Sequence, residues 1–361
     1  MKIQNQGFDH VEYAVNDIAE RGSIYERMGF EKIGQRHLAD RGLKSVLYAQ
    51  GLVRILLTQS DGSPAAETQE SIKFLRNQAE GVCVLALDVA NATTAFDQAV
   101  KRGAKPAMAP KKFESAEGSV VRAEVWTPAA VRYAFMERKA PSGAQGPALF
   151  DEALVVSRLE SPSPFGIQRI DHLTNNVGIG EMKTWVEWYK NVFGFVVSRH
   201  FKIKTGRTGL ISDVVQSEDG KVIVPINEAT EPESQVQEFV NRMKGPGVQH
   251  LALECVDLMQ SLRLLRRGQF KFLEVPHTYY EAVPTRVPGV TEKITELEEL
   301  GILLDGDQTG YLLQIFSQEI LGPFFFEFIQ RKGNRGFGEG NFQALFEAIE
   351  RDQITRGVLK A

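Results

Sequence analysis

Apolar and polar positions alternate with period two in several short stretches, each bounded by glycine, proline or polar clusters. Gly7–Val15 reads as a strand in this way, and Ala19–Met28 follows as a helix stopped by Gly29. Arg36–His37, Ser45–Ala49 and Val53–Thr58 then read as short strands, giving one βαβββ unit. A second unit begins at Val82–Val89, continues through a helix over Ala92–Arg102 and closes with strands at Ala123–Trp126 and Val131–Glu137.

The stretch from about 140 to 166 is rich in Pro, Gly and Ser and reads as a linker. Beyond it the pattern restarts. Arg169–Val177 echoes Gly7–Val15, and Trp188–Phe195 echoes Ile24–Phe30. Gly247–Leu253 echoes Gly81–Leu87, and Phe326–Lys332 echoes Tyr133–Lys139. The chain therefore reads as a duplication in which each half is two βαβββ units, an α+β fold. The expected domains are 1–150 and 151–361. A chain of 361 residues exceeds what one core usually serves, which agrees.

The apolar run Phe324-Phe325-Phe326-Glu327-Phe328-Ile329 holds a single acid. A carboxylate in a buried strand needs a compensating partner, either a neighbouring base such as Arg331 or Lys332, or a metal ion. The repeat supplies a comparison. Three equivalent strand positions hold His172, His250 and Glu327 in the second half, and His10, Val84 and Ala134 in the first. One strand histidine alone is more often a satisfied core residue, and His10 is read that way. Two histidines and a carboxylate together match the facial triad of non-haem iron(II), which leaves coordination positions open. The same set also suits catalytic zinc, although the helical His-Glu-x-x-His arrangement of zinc proteases is absent. His37, His200 and His277 read as surface residues.

Composition narrows the remaining classes. Apolar content of 43% and charged content of 24% are ordinary for a globular protein. A net charge of −4 gives no electrostatic case for nucleic acid or an anionic membrane. No apolar run approaches a membrane span and no signal-peptide core opens the chain. Cys83 and Cys255 lie in apolar strands and read as reduced core residues, so a cytoplasmic location is expected. Near the C-terminus, Gly336, Gly338 and Gly340 precede an amphipathic helix over about 341–356, expected to act as a lid with Phe342 and Leu345 facing the site. The glycines do not complete a dinucleotide fingerprint, because Asn341 stands at the third glycine position.

The second half, from about 165 to 357, resembles the 4-hydroxyphenylpyruvate dioxygenases of bacterial type, in the vicinal oxygen chelate superfamily. The resemblance lies in Asp171-His172-Leu173-Thr174, Pro225-Ile226-Asn227-Glu228, Gly247-Val248-Gln249-His250, Gly301–Gly306, Leu313–Phe316, Phe325–Gly333 and Gly336–Phe342. It implies a glyoxalase-like fold, with paired βαβββ modules forming two open barrel-like domains, the first without metal. It implies one iron(II) per chain on His172, His250 and Glu327. Ser212, Asn227, Gln235, Gln249, Gln314 and Asn341 would contact substrate, with Asn227, Gln235 and Gln249 nearest the chemistry. Phe325 and Phe342 would flank the aromatic ring, with Phe316 and Leu345 nearby. Strict alternation instead points Gln249 away from the face of His250.

The reaction implied takes 4-hydroxyphenylpyruvate and dioxygen to homogentisate and carbon dioxide, in a homo-oligomer. Hydroxymandelate synthase is the nearest alternative, sharing fold, metal and substrate, although Phe316 and Pro225 resemble the dioxygenase more. An extradiol catechol dioxygenase would be expected to carry a further acid-base histidine. A binding module without turnover fits the first half alone.

Overall fold

The computed structural model describes residues 5–139, 147–158, 160–205, 207–287, 289–338, 340–343, 353–354 and 357. The first half runs β1 (Asn5–Ala14), α1 (Ile18–Arg27), β2 (Glu31–Leu38), β3 (Leu43–Gln50), β4 (Val53–Ser60), α2 (Glu70–Asn77), β5 (Gly81–Val89), α3 (Ala92–Lys101), β6 (Lys105–Ser115), β7 (Gly118–Trp126) and β8 (Arg132–Lys139). A hairpin, β9 (Ala148–Asp151) and β10 (Leu154–Val156), follows. The second half runs β11 (Ile167–Val177), α4 (Met182–Phe193), β12 (Val196–Lys204), β13 (Gly209–Gln216), β14 (Ile223–Ala229), α5 (Gln235–Met243), β15 (Gly247–Cys255) and α6 (Leu258–Arg267). It continues through α7 (His277–Arg286), α8 (Ile294–Leu300), β16 (Leu303–Asp307), β17 (Gly310–Phe316) and β18 (Phe325–Lys332).

Each half folds into an eight-stranded sheet, and the two orders correspond strand for strand: β2-β3-β4-β1-β5-β8-β7-β6 and β12-β13-β14-β11-β15-β18-β17-β16. The first strand of each βαβββ unit pairs parallel with its last, as β1 with β4 and β5 with β8. The two units of a half join through one antiparallel pair, β1 with β5 or β11 with β15. Helix starts are set locally. The Asp17 side chain accepts from the Ala19 and Glu20 amides, and Asp257 and Asn91 cap α6 and α3 in the same way. Gly194 ends α4 in the left-handed region, at φ 74°, where a side chain would be strained.

The halves lock together through reciprocal aromatic contacts. Tyr25 of α1 meets Phe326 of β18 at 6.0 Å, and Phe193 of α4 meets Tyr133 of β8 at 4.9 Å. Tyr133 and Tyr189 also share a hydrogen bond between hydroxyls, at 3.1 Å. These rings are buried, each contributing roughly 1.5–3 kcal/mol relative to exposure.

Two stretches differ from the sequence reading. Lys105–Ser115 is a full strand, β6, hidden by its two prolines and its polar composition, because it lies at a sheet edge. The Pro/Gly/Ser-rich stretch read as a linker contains the β9–β10 hairpin, whose Phe150, Leu154 and Val156 pack in one cluster with Ile33, Leu47 and Leu56 of the first sheet. Its residues 140–146 lie outside the described residues. Cys83 and Cys255 are buried free thiols, while the side chains of His37, His200 and His277 are exposed. Among the described residues no helix is long and apolar enough to cross a membrane.

Candidate metal centre and adjoining cleft

Three neighbouring strands, β11, β15 and β18, bring His172, His250 and Glu327 to one point inside the second sheet. Register explains why. His172 on β11 lies opposite Ala252 of β15, and Glu327 on β18 lies beside the same Ala252. His250, two residues earlier on β15, lies opposite Thr174. Alternation then points all three side chains to the concave face.

All three residues are buried, and one ligand atom from each lies within 4.8 Å of the others. His172 Nε2 and His250 Nε2 stand 3.3 and 3.4 Å from Glu327 Oε2. Yet among the described residues His250 Nε2 and Glu327 Oε2 have no hydrogen-bond partner. Buried donors and acceptors are normally satisfied, so these orphaned atoms, with their lone pairs converging, fit a metal ion.

The remaining atom of each ligand is held from behind. Asp171 Oδ2 bonds His172 Nδ1 at 2.8 Å, and Arg331 grips both Asp171 oxygens at 2.7 Å. Gln249 Oε1 meets His250 Nδ1 at 3.1 Å, and Gln314 Nε2 donates to Glu327 Oε1 at 3.0 Å. Each contact turns the other ring nitrogen, or the other carboxylate oxygen, inward. Electrostatics agree. Burial opposes ionisation of Glu327, but the charge of His172 and contacts from both histidines outweigh it and hold the carboxyl at about 2. Burial likewise opposes protonation of His172, but Glu327 and Asp171 lift it to about 9. His250 is pushed down, mainly by burial.

A cleft opens beside His250, between β12, β13, β14, α5 and Phe342. Asn227, Gln235, Gln249 and Phe342 line it, together with Thr174 and Pro225. Gln249 reaches the cleft because pairing slips between Thr174 and Asn175 opposite β15, so the expected alternation fails there. Ser212 is buried opposite Asn227 with an unpartnered Oγ. Asn227 donates to Asn176 Oδ1 at 3.3 Å. Phe325 stacks on the His250 ring at 4.8 Å, with Phe316 at 6.2 Å from Phe325.

Gln314 and Asn341 sit elsewhere than at the cleft. Gln314 is wholly buried behind Glu327, and Asn341 Nδ2 donates to its Oε1 at 2.7 Å. Only residues 341–343 and 353–354 of the expected lid helix are described; Leu345 lies outside the described residues. Phe201, Ile203, Leu210 and Val236 also line the cleft and were not singled out from sequence. Phe201 and Ile203 alternate along β12, which was legible in principle, but that strand is otherwise exposed, its apolar Val196 and Val197 included. Phe337 packs edge-on against His172 at 5.4 Å, and the supporting pair Asp171 and Arg331 gave no sequence signal beyond a motif match.

Residues 2–123 match the family described as hydroxyphenylpyruvate dioxygenase, HPPD, N-terminal, and residues 169–283 match the glyoxalase/bleomycin resistance protein/dioxygenase superfamily. The chain is 36% identical to the 4-hydroxyphenylpyruvate dioxygenase of Pseudomonas aeruginosa, over 99% of this chain and 97% of that one. It is 37% identical to hemolysin VllY of Vibrio vulnificus, with the same coverage. A triple mutant of 4-hydroxymandelate synthase from Streptomyces coelicolor superposes with a TM-score of 0.83 at 25% identity, over 98% of this chain and 100% of the synthase.

Proposed function

This chain belongs to the 4-hydroxyphenylpyruvate dioxygenase family, and from that premise we propose that iron(II), one per chain, is held by His172, His250 and Glu327 and serves conversion of 4-hydroxyphenylpyruvate and dioxygen to homogentisate and carbon dioxide. The observation that carries the assignment is the buried triad with its orphaned, converging ligand atoms. Iron(II) bound there would supply open positions for the α-keto acid oxygens and for dioxygen, with the substrate itself as electron source.

The chain's own residues have three tasks. Asp171, Gln249 and Gln314 keep the ligands aimed, so the site is formed before substrate arrives. The amides of Asn227, Gln235 and Gln249 and the unpartnered Ser212 hydroxyl offer hydrogen bonds to the oxygens of an aromatic keto acid. Phe325 and Phe342 present faces for its ring, while Ile203, Leu210, Pro225 and Val236 keep water from the reacting atoms. Phe316 stays against Phe325 and fixes its tilt.

Product analysis tests this reading. Protein loaded anaerobically with iron(II), then given 4-hydroxyphenylpyruvate and air, should form homogentisate and carbon dioxide in equal amounts. Hydroxymandelate as main product would establish the reaction named for the structural neighbour. Catechol turnover without keto-acid activity would indicate extradiol chemistry.

A further inference from the structure

We propose that Tyr279 and Arg286, both on α7, are positioning residues for the metal-facing oxygen of Glu327, acting through Asn341 and Gln314. The inference rests on reading the triad as the metal site. It begins from a continuous chain of hydrogen bonds with one direction. An Arg286 guanidinium nitrogen donates to Tyr279 Oη at 2.5 Å, and the Leu304 amide donates to the same oxygen at 2.8 Å. With its acceptor side occupied, the hydroxyl has one proton to give. Asn341 Oδ1 lies at 2.5 Å and Leu304 O at 2.9 Å; the latter already accepts from Arg286 at 2.7 Å. The Asn341 contact is the shorter by 0.4 Å, so the proton goes to Asn341.

What lies downstream follows from the donors that meet Asn341 Oδ1, the Tyr279 hydroxyl at 2.5 Å and, more distantly, Arg286 at 3.4 Å. Asn341 with its oxygen toward Tyr279 must turn its NH2 toward Gln314, where Nδ2 meets Oε1 at 2.7 Å. Gln314 must then turn its own NH2 toward Glu327, meeting Oε1 at 3.0 Å. An amide reversed at either step would set oxygen against oxygen. The relay fixes which Glu327 oxygen is hydrogen-bonded and leaves Oε2 bare toward the two histidines.

The surroundings are built for this chain. Gln314 and Asn341 have no exposed surface, so neither amide can find water instead. Arg286 also donates to Gly340 O at 3.1 Å, and the Gly340 amide donates to Asp305 at 2.9 Å, which clamps the turn before Asn341. At Gly338, with φ +73°, an added Cβ would lie 1.7 Å from Gln314 Oε1, so the backbone passes directly over the relay. The start of the C-terminal segment is thereby wired to a metal ligand.

The neighbouring residue supplies a matched control. Tyr280 is buried next to Tyr279, but its hydroxyl has no partner among the described residues. Cobalt(II) affinity, measured by competition with a chelator, is the first readout, and the visible absorption of bound cobalt(II) is the second. Tyr279→Phe should bind cobalt(II) about ten- to a hundredfold more weakly, with an altered absorption band. Tyr280→Phe should match the parent in both. Equal affinity of Tyr279→Phe and parent overturns the proposal, as does an equal loss in Tyr280→Phe, which would mark a packing effect. Should Tyr279→Phe not fold, Asn341→Asp decides. Its carboxylate offers Gln314 no donor, so the Gln314 carbonyl turns toward Glu327; a loss at least as large is expected, and parental affinity overturns the proposal. Parent protein that binds no cobalt(II) would refute the metal reading itself and the relay with it.

Discussion

The two barrels share a strand order and a register, yet their interiors solve the same electrostatic problem differently. In the second, the carboxylate of Glu327 faces two histidines and a cleft. In the first, Arg122 sits at the register position matching Gln314, and Glu124 at that matching Phe316. Arg122 donates to Glu124 at 2.7 Å, to Asp151 at 2.5 Å and to Glu12 at 3.2 Å. Arg132 donates to Glu124 at 2.6 Å, and Arg36 to Asp151 at 3.1 Å. Buried carboxylates need a cation, and the scaffold accepts either guanidinium groups or a metal ion.

The support behind the site survives in both. Asp9 bonds His10 and is held by Arg138, as Asp171 bonds His172 and is held by Arg331. Phe150 packs on His10 at 5.1 Å where Phe337 packs on His172 at 5.4 Å. What the first barrel lacks is the ligand pair, at Val84 and Ala134, and the β9–β10 hairpin packs against its sheet.

The largest expected effect breaks this contrast directly. His172→Ala or Glu327→Ala should release the metal and, with several kcal/mol of polarisation lost, cut product formation at least about 1,000-fold. His10→Ala should keep both metal and activity. Metal analysis with turnover decides it, and the reverse pattern would place the working site in the first barrel.

Next is the ion network. Arg122→Met leaves Glu12, Glu124 and Asp151 short of positive charge and should destabilise by about 3–5 kcal/mol in urea unfolding. Metal stoichiometry of the folded protein should not change. A loss below about 1 kcal/mol would show that the remaining arginines suffice.

A smaller effect probes the cleft. Phe201 stacks on Phe342 at 5.1 Å. Phe201→Ala should raise KM by about two- to tenfold, the range of one aromatic contact, with kcat nearly unchanged. An unchanged KM would take Phe342 out of substrate binding.

The smallest concerns acid. Arg122 and Arg36 outweigh burial and hold the Asp151 carboxyl below its usual range, and Arg132 and Arg122 do the same for Glu124. Groups lowered in the folded state contribute stability above their unfolded values, about 4, and that contribution is lost as pH falls toward the folded ones. Stability should therefore drop below pH of about 4, and less steeply in Asp151→Asn. An identical acid limb in that variant would remove Asp151 from the linkage.

The duplication, the strands of each core and the His172, His250 and Glu327 set were legible in the sequence, because alternation and repetition are local signals and a charge inside an apolar run stands out. The rest depended on partners far along the chain. Polar β6 is a strand only because it completes a sheet edge. Phe150 and its hairpin are core only because the first barrel has a place for them. Gln249 turns toward His250 through a slip in pairing that no periodicity encodes. Arg331 reaches Asp171 across 160 positions, and Tyr279 reaches Asn341 across 62. Sequence set which groups were available; tertiary structure decided which buried atoms meet, because hydrogen bonds and ion pairs are fixed by distance in space.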